Sequence, residues 1–403
     1  MSKIVVTNFY PVHPVEHGGQ RRIFFLSREL SCDHHVTMVT LVRGRPMRYL
    51  QISPRFVEVQ VPAEQEYLDF ERSLHKDVPM TADVAYAMKW SSCRLYQGVL
   101  QQHVRDCDLA VSEHPYSVPA MLKAMPSRRT IPLIYNSQNV ESRQKAPVLL
   151  GRGDLIKVVE QVEDTAVRQS VSIVACTEVD RGHFIADYGA SPDKVAIVEN
   201  GVDAKSVPEI SSDQVKEFRK YLGIEDKFVA IFGGSHHFPN LAAADAILEF
   251  ARALPDMVFV ILGSICRYEV LSRPVPPNVL ALGTVSEEEK WLCFSVANIA
   301  LNPMTHGSGS NIKMFEYAAA GLPTLSTNFG ARATGLQPGQ HYIEAALQDF
   351  PTRLSQLAHA ETQELLEIGR AARNFVVERA DWSVIGERYR KLVASVLEDS
   401  GAI

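Results

Sequence analysis

Two Rossmann-like, doubly wound α/β domains are the fold this sequence predicts, and three observations predict it. The chain has 403 residues, too many for one ordinary domain and comfortable for two. Short β-branched runs alternate with helical patterns, and the alternation occurs twice over. A polar, strand-poor stretch from about Val202 to Asp226 divides the two series and reads as a linker.

In the first series, Ile4–Val6, Val36–Leu41, Phe56–Val61, Leu109–Ser112, Ile131–Tyr135 and Ile173–Cys176 read as strands, and Val195–Val198 closes it. Near-continuous apolar runs of this length suit buried parallel strands. Between them, Leu155–Gln169 places Leu155, Val158, Val159, Val162 and Ala166 on one helical face. Thr177 with Asp180 gives a capping-box-like helix start. The second series consists of Phe228–Phe232, Val258–Leu262, Val279–Leu282, Ile299–Asn302 and Thr324–Ser326. Trp382, Ile385, Tyr389, Leu392 and Val396 then recur at helical spacing in the last segment. Ligands of such sheets bind beyond the carboxyl ends of the strands, so two facing sheets would share a central cleft lined by those loops.

Composition narrows the function. Hydrophobic residues make up 46% and charged residues 22%, the balance of a water-soluble globular chain, and no run is long and apolar enough for a membrane helix. The formal net charge is -6. Up to Asn200 there are 23 basic and 23 acidic residues, so the whole acid excess falls in the second half. A nucleic-acid partner would call for a basic face and is not expected. The balanced first half is compatible with peripheral contact at the inner face of a membrane. Met1–Asn8 reads directly into a strand and not as a signal peptide. Six scattered cysteines without a C-x-x-C pair suggest neither zinc nor a disulfide framework, which fits a cytoplasmic location. His34-His35 has no third ligand at useful spacing. Asp106 and Asp108 precede a strand, at the wrong end for a cleft. No metal and no cofactor are therefore expected.

The segment richest in chemistry is His306-Gly-Ser-Gly-Ser-Asn-Ile-Lys-Met-Phe-Glu-Tyr-Ala-Ala-Ala-Gly-Leu-Pro323, which follows the strand Ile299–Asn302. Gly307 and Gly309 allow close backbone approach around Ser308, and Ser310 or Asn311 can cap the helix behind them. Free N–H groups at such a helix start form an anion site, to which Lys313 adds a full charge. Glu316 lies three residues on and can accept two hydrogen bonds from a ribose diol. A phosphate site beside a diol acceptor spells a nucleoside diphosphate. A glycine-rich loop, a capped helix and a surface Lys–Glu pair would account for the same residues. Gly18-Gly19, followed by Gln20-Arg21-Arg22, offers backbone amides to a phosphate or sugar hydroxyl. The plainer reading is a tight turn with two solvated arginines.

These segments together resemble glycosyltransferase family 4 (group 1), of GT-B fold. Gly18-Gly19 resembles the family's first glycine loop, Tyr135-Asn-Ser-Gln-Asn-Val-Glu141 its "HNxE" segment, and Val198-Glu-Asn-Gly-Val-Asp203 its interdomain "NGVD". Phe232-Gly-Gly-Ser235 with Pro239-Asn240 resembles the loop after the first strand of the donor domain. His306–Pro323 and Gly330 complete the ordered set. The resemblance implies an acceptor-side domain over 1–203, joined by a helix at 381–403 that crosses back to it, and a donor domain over 204–380. It implies transfer of a hexose-type sugar, with retention, from a nucleotide-sugar donor. The acceptor would be a saccharide, a lipid-linked saccharide or another hydroxyl compound, in bacterial-type glycan assembly. His114, Gly19 and His306 take the catalytic positions. Gly234, Ser235, Gly307, Ser308, Gly309, Ser310, Asn311, Lys313 and Glu316 take the donor positions. Gly18, Arg21, Asn139, Glu141 and Asn200 line the cleft or the acceptor side. For Glu141 a purely structural role explains the residue equally well.

Two departures stand out. The family signature is written E-x7-E, with Glu316 as its second member, yet Ser308 stands eight residues before it. Aligned on the glycines, His306 takes the acidic position instead. The loop after Gly234 usually supplies an Arg and a Lys to the pyrophosphate, and here carries Ser235, His236, His237 and Asn240. A nucleotide-sugar epimerase of the same fold, or a non-catalytic nucleotide-binding relative, are the rival readings.

Overall fold

Strand residues alternate between the two faces of a sheet, so a run that is apolar throughout is buried on both. The computed structural model describes residues 1–401 except 16–17, 79–80, 269–270, 272–273, 308 and 360–361. It divides into two compact units, Met1–Glu199 with Ile385–Ile403, and Asn200–Val384.

The first unit holds an eight-stranded sheet: β1 (Lys3–Asn8), β2 (His35–Val42), β3 (Arg48–Ser53), β4 (Phe56–Pro62), β5 (Leu109–Ser112), β6 (Leu133–Asn136), β7 (Ser172–Ala175) and β8 (Val195–Ile197). The order is β3-β4-β2-β1-β5-β6-β7-β8, and every pairing is parallel except the edge hairpin β3–β4. Val5, Val39, Val59, Ala110, Tyr135 and Ile173 share one core with residues of helices Ala82–Lys89, Arg94–Val104 and Gly153–Gln169. Thr177 caps helix Glu178–Tyr188 by accepting from the Asp180 amide. In helix Trp382–Asp399 the buried stripe is Trp382, Ile385, Tyr389, Val393 and Leu397, while Leu392 and Val396 are only half-buried. Within the first unit Gly386 of this helix abuts Glu29 of helix Gly18–Leu30 closely enough that a Cβ would lie 2.2 Å from Glu29 Cγ.

The second unit is a six-stranded, all-parallel sheet of β9 (Val229–Gly233), β10 (Val258–Leu262), β11 (Val279–Gly283), β12 (Ile299–Asn302), β13 (Thr324–Ser326) and β14 (Ile343–Glu344), in the order β11-β10-β9-β12-β13-β14. The alternation is explicit here. Val258, Val260 and Leu262 join the core containing Met314, Phe315 and Ala318 of helix Ile312–Ala319. Phe259 and Ile261, one residue out of step, join Ala244, Ile247 and Leu248 of helix Phe238–Ala253 on the other face.

The structure corrects the reading of 202–226 as a linker. That stretch contains helix Ser212–Tyr221, started by a reciprocal capping box between Ser211 and Gln214. Val202, Ala204 and Ile224 belong to the second unit's core, and Val202 forms a parallel bridge with Asp381.

Candidate functional site

In the second unit, the carboxyl ends of β9, β12 and β13 meet the start of helix Ile312–Ala319. Beyond β9 the chain turns at Gly234, whose amide donates to Leu262 O at 3.0 Å. The turn is tight against the next strand's exit. Gly263 sits at φ 96°, and a Cβ there would lie 2.3 Å from Gly234 O. Only glycine fits. The loop is also tied to the helix, since the Gly233 amide donates to the Tyr317 hydroxyl at 2.8 Å.

Asn240 joins the loop to the cation. Its Nδ2 donates to Ser235 O at 2.9 Å, and its Oδ1 accepts from Lys313 Nζ at 2.8 Å. The same ammonium lies 4.1 Å from the centroid of the Phe232 ring. Burial pushes the Lys313 pKa down to about 7, against the attraction of Glu316 and with the repulsion of Arg332. Glu316 accepts from Lys290 Nζ at 2.9 Å, and Lys290 reaches Glu287 at 2.7 Å. Asn311 is the residue before the first helical turn, but its side chain makes no cap. It donates to Asn302 Oδ1 at 3.0 Å, while Asn302 Nδ2 donates to Ser326 Oγ at 3.1 Å. Asn200 Nδ2 donates to Ser310 Oγ at 2.8 Å. His306 packs against the exposed ring of Phe238, 5.3 Å between centroids, with Nδ1 at 3.1 Å from Thr305 Oγ1. Its Nε2 is inaccessible and has no hydrogen-bond partner. Gly307 and Gly309 both have positive φ, 136° and 61°. Ser308 lies outside the described residues.

In the first unit, a second constellation forms beyond β5 and β6. His114 is 8% exposed. Its Nδ1 stands 3.3 Å from Glu141 Oε1, and its Nε2 stands 3.0 Å from the Tyr10 hydroxyl. Tyr116 donates to the other Glu141 oxygen at 3.0 Å. Glu141 thus accepts twice, which places the imidazole proton on Nδ1 and leaves Nε2 to accept from Tyr10. Glu163 holds the helix that carries Glu141, accepting from the amides of Glu141 and Ser142 at 2.7 and 3.0 Å.

The neighbouring Glu113 is 1% exposed. Burial pushes its carboxyl up to about 8, although Asn136, Arg22 and Gln138 favour the charged form. Asn136 Nδ2 donates to Glu113 Oε2 at 2.8 Å and Arg22 donates to Asn136 Oδ1 at 3.3 Å. Arg22 also donates to Glu199 O at 3.0 Å.

Both halves of the chain also match families of known proteins. Residues 17–206 match the model described as Glycosyltransferase Family 4, and residues 245–391 match the one described as Glycosyl transferase-like. The chain belongs to the group 1 glycosyltransferases. Solved glycosyltransferases share its fold over nearly the full length. HepE from Anabaena, solved with UDP-glucose, is 13% identical with a TM-score of 0.70, over 98% of this chain and 100% of that one. Sucrose-phosphate synthase from Thermosynechococcus elongatus is 12% identical with a TM-score of 0.74, over 98% and 100%. A curated relative, the D-inositol 3-phosphate glycosyltransferase of Segniliparus rotundus, is 22% identical over 218 residues, 50% of this chain and 47% of the relative. The chain thus spans about half the length of that relative. The two parallel sheets are those of a GT-B glycosyltransferase.

In this glycosyltransferase, the structure brings Gly234, Ser235, Gly307, Gly309, Ser310, Asn311, Lys313, Glu316 and Asn200 to one end of the second unit's sheet. In the first unit it joins His114 to Glu141. Gly18 and Gly19 begin helix Gly18–Leu30, Arg21 is half-buried one turn in, and Asn139 is half-buried in the loop after β6. The notion of two solvated arginines is corrected, because Arg22 is fully buried. Sequence reasoning missed Arg22, Tyr10, Lys290 and Arg332. A signal for the first was present: Arg22, Leu26 and Glu29 share an i, i+4, i+7 stripe, so the two charges fall on the buried face with Leu26.

Proposed function

We propose that the chain transfers a sugar, with retention, from a nucleoside-diphosphate donor to an acceptor hydroxyl in glycan or glycoconjugate assembly, without a divalent metal. The observation that carries this reading is Lys313: a half-buried ammonium bonded to Asn240 beside the glycine turn of β9, in the first turn of a helix whose approach is glycine-rich. As the anomeric C–O bond breaks, charge builds on the diphosphate. A preorganised cation and backbone N–H groups stabilise that charge. HepE, of the same fold, is described with UDP, UDP-glucose and glucose, so a uridine nucleotide is the first probe. Glu316, held by Lys290, is positioned as the ribose acceptor. His114, with its proton fixed on Nδ1 by Glu141, presents Nε2 towards a sugar hydroxyl once Tyr10 yields it.

The test is a melting panel of nucleoside diphosphates and their sugars, followed by product analysis after exhaustive chelation. A new glycoside formed without metal is expected. Stabilisation by no nucleotide at all would sink the reading. Glu316→Ala should weaken nucleoside-diphosphate binding by about 1.5–3 kcal/mol, the range for charged hydrogen bonds, and unchanged affinity would remove the ribose assignment. One observation favours a second reading, a nucleotide-binding relative without turnover. His306 stands where the family's first glutamate would face the donor sugar. Binding without product under any donor would select it.

A further inference from the structure

The loop after β9 brings no lysine or arginine to the diphosphate position, since Ser235, His236, His237 and Phe238 occupy it. The structure brings a guanidinium from elsewhere. Arg332 lies on the turn that follows β13, two strands over from β9. The turn is held by the Gly330 amide donating to Thr327 Oγ1 at 2.9 Å. Its guanidinium is preset: Nη1 donates to Phe329 O at 3.0 Å, and the group stacks 4.1 Å from the Phe329 ring centroid. From there it reaches the glycine loop. A Cβ on Gly307 would lie 2.9 Å from Arg332 Nη2 and 3.7 Å from Pro239 Cβ, so the guanidinium and the start of helix Phe238–Ala253 meet over Gly307. His306, next to Gly307, leaves Nε2 unpartnered and inaccessible.

Resting on the donor-site reading above, the geometry points to Arg332 as the second phosphate-binding cation of this site, replacing the basic residues that the loop after Gly234 lacks. Arg332 and Lys313 are close enough to repel each other, and the carboxylate acting on Lys313, Glu316, is itself shared with Lys290. Two like charges gathered at a glycine loop are stable together when an anion lies between them. A diphosphate has two phosphates to match two cations. Guanidinium suits the terminal one because its fork engages two oxygens at once.

The experiment measures binding of UDP and UMP, or the corresponding pair for whichever base stabilises the wild type, to wild type and Arg332→Gln. UDP binding should fall about tenfold or more, with UMP binding changed far less. Because Lys313 loses a repelling neighbour, the pH above which UDP affinity declines should also move upward in the variant, while the difference between UDP and UMP separates a phosphate contact from a structural role. Arg332→Met keeps the aliphatic stem on Phe329 and gives the same result if Arg332→Gln melts early. Unchanged UDP affinity, equal losses for UDP and UMP, or a loss confined to donors whose sugar carries a carboxylate would each overturn the assignment. A wild type that binds no nucleoside diphosphate would instead overturn the donor-site reading itself.

Discussion

At the scale of single residues, the half-buried Lys313 and the buried Glu113 make opposite predictions. Lys313 has its pKa lowered to about 7 by burial. In the free protein above that pH it is mostly neutral, and a bound diphosphate favours the charged form. Binding must then take up a proton, so nucleoside-diphosphate affinity should fall by up to about tenfold per pH unit above pH 7. Titration calorimetry in buffers of differing ionisation heat should register the uptake, and an affinity that is flat from pH 7 to 9 would refute it. Glu113 is raised from 4.5 to about 8, again by burial. The folded state keeps a proton that the unfolded chain releases, so this group's contribution is full below about pH 4.5 and is lost as pH climbs through 8. Glu113→Gln should flatten that part of the stability–pH curve. Urea unfolding at several pH values reads it, and an unaltered slope would exclude the protonated carboxyl. Much of the donor side was legible in the sequence, because glycines, a lysine and a glutamate at helical spacing are a local pattern. Arg332 was not, since only the pairing of β12 with β13 brings position 332 to position 307. Tyr10 and His114 are likewise joined by the β1–β5 pairing and not by spacing.

At the scale of elements, most strands that sequence showed are buried on both faces, while β8 and β11, half-buried at the sheet edges, were visible through their apolar residues alone. β3 escaped notice because RYLQIS is exposed or half-buried throughout, an antiparallel edge with little apolar signal. β14 has only two residues. The helix Ser212–Tyr221 buries none of its residues fully; Val215, Phe218 and the adjoining Leu222 form a short half-buried stripe against the second unit's core, and the Ser211–Gln214 capping pattern marks its start, two signals hidden by the polar residues between them. The final helix was visible through its stripe, though after Tyr389 the buried positions are Val393 and Leu397, each one residue past the Leu392 and Val396 that spacing suggested. The connection between elements that matters most for the site is the contact of the β9 and β10 exits. Gly263→Ala would place a Cβ against Gly234 O in a backbone conformation that alanine adopts at a cost. We expect a loss of about 1–3 kcal/mol of stability from the overpacking alone, together with weaker nucleotide binding because the Gly234 turn must move. Denaturant unfolding and a nucleotide titration on the same variant check both, and an alanine variant of native stability would show that the turn yields freely.

At the scale of the whole molecule, the two units have separate hydrophobic cores. The first unit's principal core draws on residues between Val5 and Val195, and those of the second on residues between Val202 and Ala380. All the groups assigned to the diphosphate and ribose lie in Asn200–Val384. A ligand that binds only the folded second unit stabilises it by mass action, about 2.7 kcal/mol at a hundredfold excess over the dissociation constant. The effect should be local in amide exchange. With a nucleoside diphosphate lacking a sugar, exchange should slow at residues 233–240 and 309–317. The amides of Glu113 and Glu141, which donate to Thr7 O and Glu163 Oε1 within the first unit, should keep their rates. Hydrogen exchange read by mass spectrometry resolves these segments in one experiment. Protection centred on Glu113–Glu141, with residues 233–240 unchanged, would place the nucleotide in the first unit and reverse the assignment of the donor side.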